Sequence, residues 1–391
     1  MPSARRPTIL QVVPAMQTGG VEQTTLDVSK AAVEGGYRVI VASSGGRMVP
    51  LLKEAGAEHV NLPLASKNPL QIMFNVRRLL RLIKRDHIGL VHARSRAPAW
   101  SAWQAARIAR RPFVTTYHGI YRQNDPFKAF YNSVMARGED VIANSHFTAD
   151  LIIKRHPFAA PRILVIHRGT DMKLFDPSRL EPVGIHAMRA SWGVPDQARV
   201  LIQVARLTEW KGHGVTLEAF AKLLPHFSDL YLVLAGDDQG RLLYRQSLAM
   251  QARKLGVERR VIFAGHVTDV PTAMASADAA IVASTRPEAF GRAAVEAQAM
   301  GLPVVVSDHG AVAETVIADP NDQAYNDDRT GWRVRVGDAE EAAKALQIAL
   351  SLDNEARMAL AKRARDHAVT HFSVEQMTQK TQTLYAKRLV A

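Results

Sequence analysis

Two glutamates stand eight residues apart in RPEAFGRAAVEAQAMGLPVVVSD, the stretch that spans residues 286–308. Glu288 lies in a loop, and Glu296 lies among Ala, Val and Met in a predicted helix that stops at Gly301. Carboxylates accept hydrogen bonds, so Glu288 suits the hydroxyls of a sugar and Glu296 suits a ribose diol. The alternatives are a solvated pair of glutamates, or Glu288 as a charge at a helix start. The apolar neighbours of Glu296 weaken the first alternative for that residue.

A Phe-Gly pair stands between these glutamates, at the predicted N-terminus of the helix. Such a terminus carries about half a positive charge and presents backbone N–H groups, so it binds phosphate readily. Phe290 supplies one N–H group, and Gly291 lets an anion approach closely. The stretch therefore predicts a phosphate site beside two carboxylates.

Two cations follow another predicted strand in ARLTEWKGH. Arg206 ends the strand, and Lys211 comes five residues later, just before a glycine. The pair suits a diphosphate, although two ordinary surface cations would give the same pattern. The sequence contains no D-x-D triplet, which often holds a sugar nucleotide through a metal ion. We therefore expect the cations and the helix N-terminus to neutralise a leaving diphosphate without a metal.

Two further strand ends carry candidate residues. In QTGGVEQ, Gly19 and Gly20 permit close approach of the backbone to a ligand, although a plain turn is an equal alternative. The segment is neither G-x-G-x-x-G nor a P-loop. In TTYHG, His118 follows a strand and precedes a glycine, which places it to contact a sugar unless it is a structural histidine.

Short apolar strands alternate with amphipathic helices along the whole chain. Buried strands that alternate with helices form parallel sheets, and ligands bind beyond the carboxyl ends of such strands. We therefore predict an α/β protein with two Rossmann-like domains, whose parallel sheets face a central cleft. The predicted domains span residues 1–171 and 172–371, and residues 372–391 form a helix that packs back on the first domain.

Composition narrows the class of protein. A chain of 391 residues is too long for one ordinary core, and the lack of cysteine excludes disulfides and thiol catalysis. No apolar run approaches the ~20 residues of a membrane span, and the short apolar run before Pro14 is too brief for a signal peptide. We therefore expect a cytoplasmic location.

The net charge of +13 is confined to the N-terminal half, because residues 1–170 hold 24 Lys and Arg against 10 Asp and Glu. Such an excess favours an anionic partner or surface. In PLQIMFNVRRLLRLIKRDH, one stripe of the predicted helix is apolar and another is basic. This second stripe suits anionic lipid, unless it is the solvated face of a helix packed on its own sheet. It consists of Arg77, Arg81, Lys84 and Arg85.

Taken together, GGVE, TTYHG, VIANS, ARLTEWKG and PEAFGRAAVEAQAMGLPVV resemble the retaining glycosyltransferases of family 4, which have the GT-B fold. The resemblance extends over nearly the whole chain. It implies a nucleoside diphosphate sugar as the donor and retention of the anomeric configuration. It also implies that Arg206 and Lys211 hold the diphosphate, that Glu288 holds the sugar and that Glu296 holds the ribose. The implied donor site further includes Gly19, Gly20, Val267, Phe290 and Gly291. The implied catalytic residues are His118, which lies at the transferred sugar, Glu288, Arg206 and Lys211.

A narrower resemblance involves VHARSRAPAWSA, YNSVMARGEDVIANSHFTA and AGDDQGR. These segments are similar to α-proteobacterial lipopolysaccharide-core glycosyltransferases, which include mannosyltransferases. Arg168 stands in VIHRGTD, where members of the family often have Asn-Gly, and the added cation suits an anionic acceptor. We assign Arg94 and Arg168, with the basic stripe, to acceptor or membrane binding.

The residues and the two resemblances together imply a retaining, metal-independent hexosyltransferase without a cofactor. It would move mannose or another hexose from GDP-mannose or a UDP-hexose to an anionic glycolipid, the lipopolysaccharide inner core, at the cytoplasmic face of the inner membrane. We find no nucleophile with a general base, so we expect front-face substitution in which the leaving phosphate accepts the acceptor's proton. One alternative is a nucleotide-sugar epimerase on the same fold, which would need a second acid–base set. Another is a nucleic-acid-binding protein, but aromatic residues are not interleaved with the basic charge.

Overall fold

The computed structural model describes residues 6–17, 19–321, 324–326 and 328–390. It contains two compact units, one formed by residues up to Gly169 with the segment from Val374 onward, and the other by Thr170–Ser373. Each unit has its own parallel sheet with helices on both faces, so the predicted pair of Rossmann-like domains is confirmed.

The first sheet is built from short, buried strands. They are β1 (Thr8–Val12), β2 (Arg38–Ser43), β3 (Glu58–Asn61), β4 (Ile88–Ala93), β5 (Phe113–Tyr117), β6 (Asp140–Ala143) and β7 (Ile163–Val165). Their order in the sheet is β3-β2-β1-β4-β5-β6-β7, so the direction of winding reverses between β1 and β4. Ligands of open parallel sheets bind at such a reversal, beyond the carboxyl ends of the strands.

Helices cover both faces of this sheet. They are α1 (Gly20–Glu34), α2 (Val49–Glu54), α3 (Pro69–Arg85), α4 (Arg96–Ala109), α5 (Pro126–Ser133) and α6 (His146–Arg155). Alternate residues of β1 serve the two faces, because Leu10 packs with Leu79 of α3 while Ile9 packs with Val28 of α1. Asn68 begins α3 by accepting a hydrogen bond from the N–H group of Leu70 at 2.9 Å.

The second sheet repeats the plan. Its strands are β8 (Arg199–Val204), β9 (Leu230–Ala235), β10 (Val261–Gly265), β11 (Ala279–Val282), β12 (Val304–Ser307) and β13 (Trp332–Val334). The sheet order is β10-β9-β8-β11-β12-β13, which places the reversal between β8 and β11. The helices of this unit are α7 (Pro182–Trp192), α8 (His213–Leu223), α9 (Leu242–Lys254), α10 (Val270–Ala275), α11 (Arg292–Ala299), α12 (Val312–Thr315), α13 (Ala339–Leu350) and α14 (Asn354–Phe372).

The last helix, α15 (Val374–Val390), belongs to the first unit although the chain reaches it from the second. Tyr385 of α15 is buried in the same core cluster as Ile9 and Val28. Arg388 pairs with Asp140 at the start of β6, and Gln382 donates to the carbonyl oxygen of Ala31 at 2.8 Å. These contacts attach the C-terminal segment to the N-terminal sheet.

Candidate active site

Lys211 and Glu288 form an ion pair at the winding reversal of the second sheet. Lys211 follows β8 and Glu288 follows β11, and these two strands are neighbours. The ammonium group donates to Oε1 of Glu288, and the hydroxyl of Ser284 donates to the same oxygen at 2.6 Å. The Lys211 side chain is 18% exposed and that of Glu288 is 12% exposed, so the pair is largely removed from water. Two residues separated by 77 positions in the chain therefore share one site.

Close backbone packing fixes the Lys211 loop against β11. Gly212 has a φ of +69°, and a Cβ atom there would lie 2.7 Å from the carbonyl carbon of Ala283, so only glycine fits. The N–H group of Thr285 donates to the carbonyl oxygen of Trp210 at 2.8 Å, and Gln203 donates to that of Lys211 at 2.7 Å. The Lys211 ammonium lies 4.3 Å from the centre of the Trp210 ring.

The Glu288 loop is held by a glycine that the sequence reasoning missed. Gly310 has a φ of +78°, and a Cβ atom there would lie 2.7 Å from the backbone nitrogen of Glu288. The N–H group of Ala311 donates to the Glu288 carbonyl oxygen at 2.9 Å. A glycine two residues beyond the strand-end Asp308 was the available signal.

Glu296 is buried, with 4% of its surface exposed, and it pairs with Arg292 one turn earlier in α11. Sequence reasoning missed Arg292, although the spacing of four residues is the usual one for an ion pair on a helix. Gly291 precedes the helix with a φ of +81°. The Phe290 side chain is 3% exposed and packs against Phe372, with ring centres 5.5 Å apart, so its side chain belongs to the core.

Arg206 and Val267 also lie beyond the carboxyl ends of strands in this unit. Arg206 follows β8, is exposed, and takes part in none of the ion pairs found between described residues. Val267 follows β10 and packs, half-buried, against the core. The second unit therefore offers an exposed cation, a lysine that is ion-paired to a carboxylate, and the start of α11, each of which can attract an anionic group.

In the first unit, His118, Arg94, Asn144 and Arg168 line one small cavity at the carboxyl edge of the sheet. They follow β5, β4, β6 and β7, four neighbouring strands. Burial, with the charges of Arg94 and Arg168, holds the pKa of His118 well below its usual value, so the ring is neutral at pH 7. The structure thus brings together two predicted acceptor residues and the predicted sugar-contacting histidine.

A network of buried polar side chains makes hydrogen bonds to residues that line this cavity. His92 of β4 bonds through one ring nitrogen to the Tyr385 hydroxyl at 2.6 Å and through the other to Thr116 at 2.7 Å. Arg94 donates through Nε to Gln11, whose amide donates to Ser29 at 2.7 Å. The network joins β1, β4, β5, α1 and α15, so the last helix helps to fix the residues that line the cavity.

Helix α3 carries its basic stripe outward, while its apolar stripe packs against α4. Arg77, Arg81 and Lys84 are exposed and have no ion-pair partner among the described residues. Arg85 differs, because it pairs with Asp86 at 2.7 Å and is therefore partly neutralised. Arg78, which the sequence reasoning missed, is exposed on the same helix. Across the described residues, each helix is too short or too polar to cross a bilayer.

Gly19 immediately precedes α1, and Gly20 is the first residue of that helix, at the winding reversal of the first sheet. A Cβ atom on Gly20 would lie 2.6 Å from Cζ of Arg168, so the glycine leaves room for that guanidinium group. The structure thus gives the second glycine a packing role.

Comparison with known proteins identifies the chain's relatives. The family model described as glycosyl transferases group 1 matches residues 184–367, and that of glycosyltransferase family 4 matches residues 18–174. D-inositol 3-phosphate glycosyltransferase of Mycobacterium bovis is 30% identical over 260 residues, which cover 66% of this chain and 50% of that protein. The chain thus spans about half the length of the curated relatives it matches.

Solved structures match over the full length. The crystal structure of a glycosyltransferase from Rickettsia africae has 32% identity and a TM-score of 0.89, and the match covers 99% of each chain. The structure of HepE from Anabaena, in complex with UDP-glucose, has 26% identity and a TM-score of 0.81, covering 97% of this chain and 99% of that one. On these grounds, the chain belongs to the group 1 and family 4 glycosyltransferases with the GT-B fold.

Proposed function

We propose that the chain is a retaining glycosyltransferase that uses a nucleoside diphosphate sugar and needs no metal ion. The observation that carries this proposal is the pair of Lys211 and Glu288 at the winding reversal of the second sheet. A lysine that is ion-paired to a carboxylate can bind a phosphate instead. The carboxylate can then accept a hydrogen bond from a sugar hydroxyl. Ser284 keeps Glu288 hydrogen-bonded throughout the exchange.

The reaction requires charge stabilisation at the leaving group. The bond between the anomeric carbon and the diphosphate oxygen breaks, and the acceptor oxygen forms its bond on the same face of the sugar. The proton of the acceptor hydroxyl passes to the departing phosphate oxygen. Arg206, Lys211 and the N-terminus of α11 stabilise the negative charge that develops there, and Glu288 orients the sugar.

The donor is a hexose carried by UDP or GDP. Solved HepE contains UDP-glucose, which favours a UDP-sugar. The resemblance to lipopolysaccharide-core mannosyltransferases favours GDP-mannose. Glu296 serves the ribose in either case, because the ribose diol is common to both nucleotides, and Arg292 then gives up part of its contact with Glu296.

The acceptor is an anionic, membrane-anchored glycolipid of the lipopolysaccharide inner-core type, and the enzyme works at the cytoplasmic face of the inner membrane. The basic face of α3, defined here as Arg77, Arg81, Lys84 and Arg85, attracts anionic headgroups. The first turns of the same helix expose Leu70, Met73 and Phe74, which are 63%, 50% and 49% exposed. Exposed apolar residues beside cations suit peripheral contact with lipid.

A transfer assay in EDTA tests this proposal. Purified protein is incubated with labelled UDP-glucose or GDP-mannose and with a bacterial glycolipid extract, and label in the lipid phase is measured. We expect transfer from one donor, with an α-linkage by NMR when the donor is α-linked. Label that appears only after a divalent metal is added would contradict metal independence, and an inverted linkage would contradict retention.

A further inference from the structure

A small cavity within the first unit has the properties of an anion site. It measures about 10 Å³, which is room for roughly one water-sized group. Its polar lining includes Arg94, Arg168, His118, Asn144 and three threonines, and its apolar lining includes Ile142 and Ile166. None of the lining residues is acidic.

Arg94 provides the first donor. It is 2% exposed, and although its Nε donates to Gln11, its buried Nη2 has no hydrogen-bond partner among the described residues. A buried guanidinium nitrogen without an acceptor costs free energy, which an anionic oxygen in the cavity would recover. The neutral imidazole beside it offers a further donor in the tautomer protonated at Nε2, because His118 Nε2 is also buried without a partner in the described chain. Asn144 Oδ1 is likewise without a partner there, but it is an acceptor and does not contribute to anion binding.

Arg168 provides a second positive charge at the same cavity. Its guanidinium lies against Gly20, in the space that a Cβ atom there would fill. Gly20 is the first residue of α1, so this guanidinium also lies at the partly positive end of a helix. Asp27 of α1 interacts electrostatically with Arg94, but neither Asp27 nor Glu22 of the same helix lines the cavity. Two guanidinium groups and a helix N-terminus therefore meet at a cavity whose lining contains no carboxylate.

We propose that this cavity binds one anionic oxygen of the acceptor, from a carboxylate or phosphate group close to the hydroxyl that receives the sugar. The proposal rests on the proposed function for its ligand. The size of the cavity admits a single projecting oxygen and excludes a sugar ring. The diphosphate of the donor has the same chemistry, so the experiment must distinguish these two sources.

The test measures inorganic phosphate binding by calorimetry at constant ionic strength. Arg168→Asn introduces the residue that family members often carry, and Arg94→Gln removes the buried charge. Arg111→Gln is the matched control, because Arg111 is exposed just before β5, whereas the cavity lies beyond the carboxyl ends of the strands. We expect the Kd for phosphate to rise about tenfold or more in Arg168→Asn and to stay unchanged in Arg111→Gln. Arg94→Gln should show the same loss if it folds.

A second titration, with UDP and GDP, separates the two sources. The affinity of Arg168→Asn for each nucleotide should equal that of the wild type, because the cavity binds the acceptor and not the nucleotide. Equal losses for phosphate and nucleotide would assign the cavity to the donor and overturn the proposal. Phosphate binding that is absent from the wild type, or equal in all variants, would overturn it too. Failure of the wild type to bind any nucleotide, with phosphate binding intact and lost in Arg168→Asn, would refute the proposed function while leaving an anion site.

Discussion

Replacement of Lys211 by methionine should separate what the lysine does for stability from what it does for the reaction. In the wild type, Glu288 has two donors, the Lys211 ammonium and the Ser284 hydroxyl. Lys211→Met keeps most of the side-chain volume but removes the cation. Glu288 is then left with a single neutral donor, while only 12% of its side chain reaches water.

The loss of stability in Lys211→Met follows from this geometry. Removal of one partner of a fully buried ion pair costs about 3–5 kcal/mol, because a charge remains buried without compensation. Here Ser284 still donates, and both side chains keep some contact with water. We therefore expect Lys211→Met to lower the free energy of unfolding by about 2 kcal/mol. Turnover should fall by on the order of 10²-fold, because a donor that stabilises the leaving diphosphate is lost.

The double variant Lys211→Met/Glu288→Gln decides between the two effects. A neutral amide at position 288 needs no counter-ion, so most of the lost stability should return, whereas turnover should stay low. Lys222→Met is the control, because Lys222 pairs with Glu340 on the surface at 2.7 Å, with about half of each side chain exposed. That change should leave both the stability and the activity close to those of the wild type.

Urea unfolding, compared with initial transfer rates under native conditions, measures both quantities. A double variant as unstable as Lys211→Met would show that the ion pair does not account for the lost stability. If the folded Lys211→Met variant turned over substrate as fast as the wild type, the assignment of this lysine to the diphosphate would be refuted.

The remaining predictions concern the carboxylates, pH and lipid. Glu296→Gln should weaken nucleoside diphosphate binding by about tenfold in calorimetry, whereas Glu288→Gln should spare it and reduce transfer; the reverse result would exchange their roles. Burial lowers the pKa of His213 to about 4, so the unfolded chain takes up its proton at higher pH than the folded one. The free energy of unfolding should then fall from about pH 6.5 towards pH 4, by up to ~3 kcal/mol, and His213→Gln should flatten this slope; an unchanged slope would contradict the assignment. Changing the basic face of α3 to glutamine should release the protein from anionic vesicles and raise the KM for glycolipid, as high salt should in the wild type; a wild type that does not co-sediment at low salt would refute this role.

The sequence was sufficient for the architecture because strand and helix periodicities are local. Buried runs such as TILQV and LYLVLA contain their own signal, and the helices between them require parallel sheets. Because strand ends carry the candidate residues, the sequence also indicated which parts of each unit would hold polar side chains. The positions of Arg206, Lys211 and Glu288 beyond the carboxyl ends of β8 and β11 follow from that logic.

Contacts between distant residues could not be predicted in the same way. The pairing of Lys211 with Glu288 depends on the adjacency of β8 and β11, which a linear pattern does not specify. Gly20 illustrates the same limit: the sequence suggested a ligand-facing turn, and the structure adds the guanidinium of Arg168 against it. The neutralisation of Arg85 by Asp86 is local, but helical periodicity alone assigns Arg85 to the basic stripe.

Calorimetric titration of the wild type with UDP-glucose and with GDP-mannose, in EDTA, tests the central claim most directly. The account predicts that one of them binds with a Kd between about 1 μM and 1 mM, the range common among enzyme substrates. It also predicts that Arg206→Ala weakens this binding at least about tenfold, because one diphosphate contact is lost. Binding of neither nucleotide sugar, or binding that requires a divalent metal, would contradict a metal-free diphosphate site at Arg206 and Lys211.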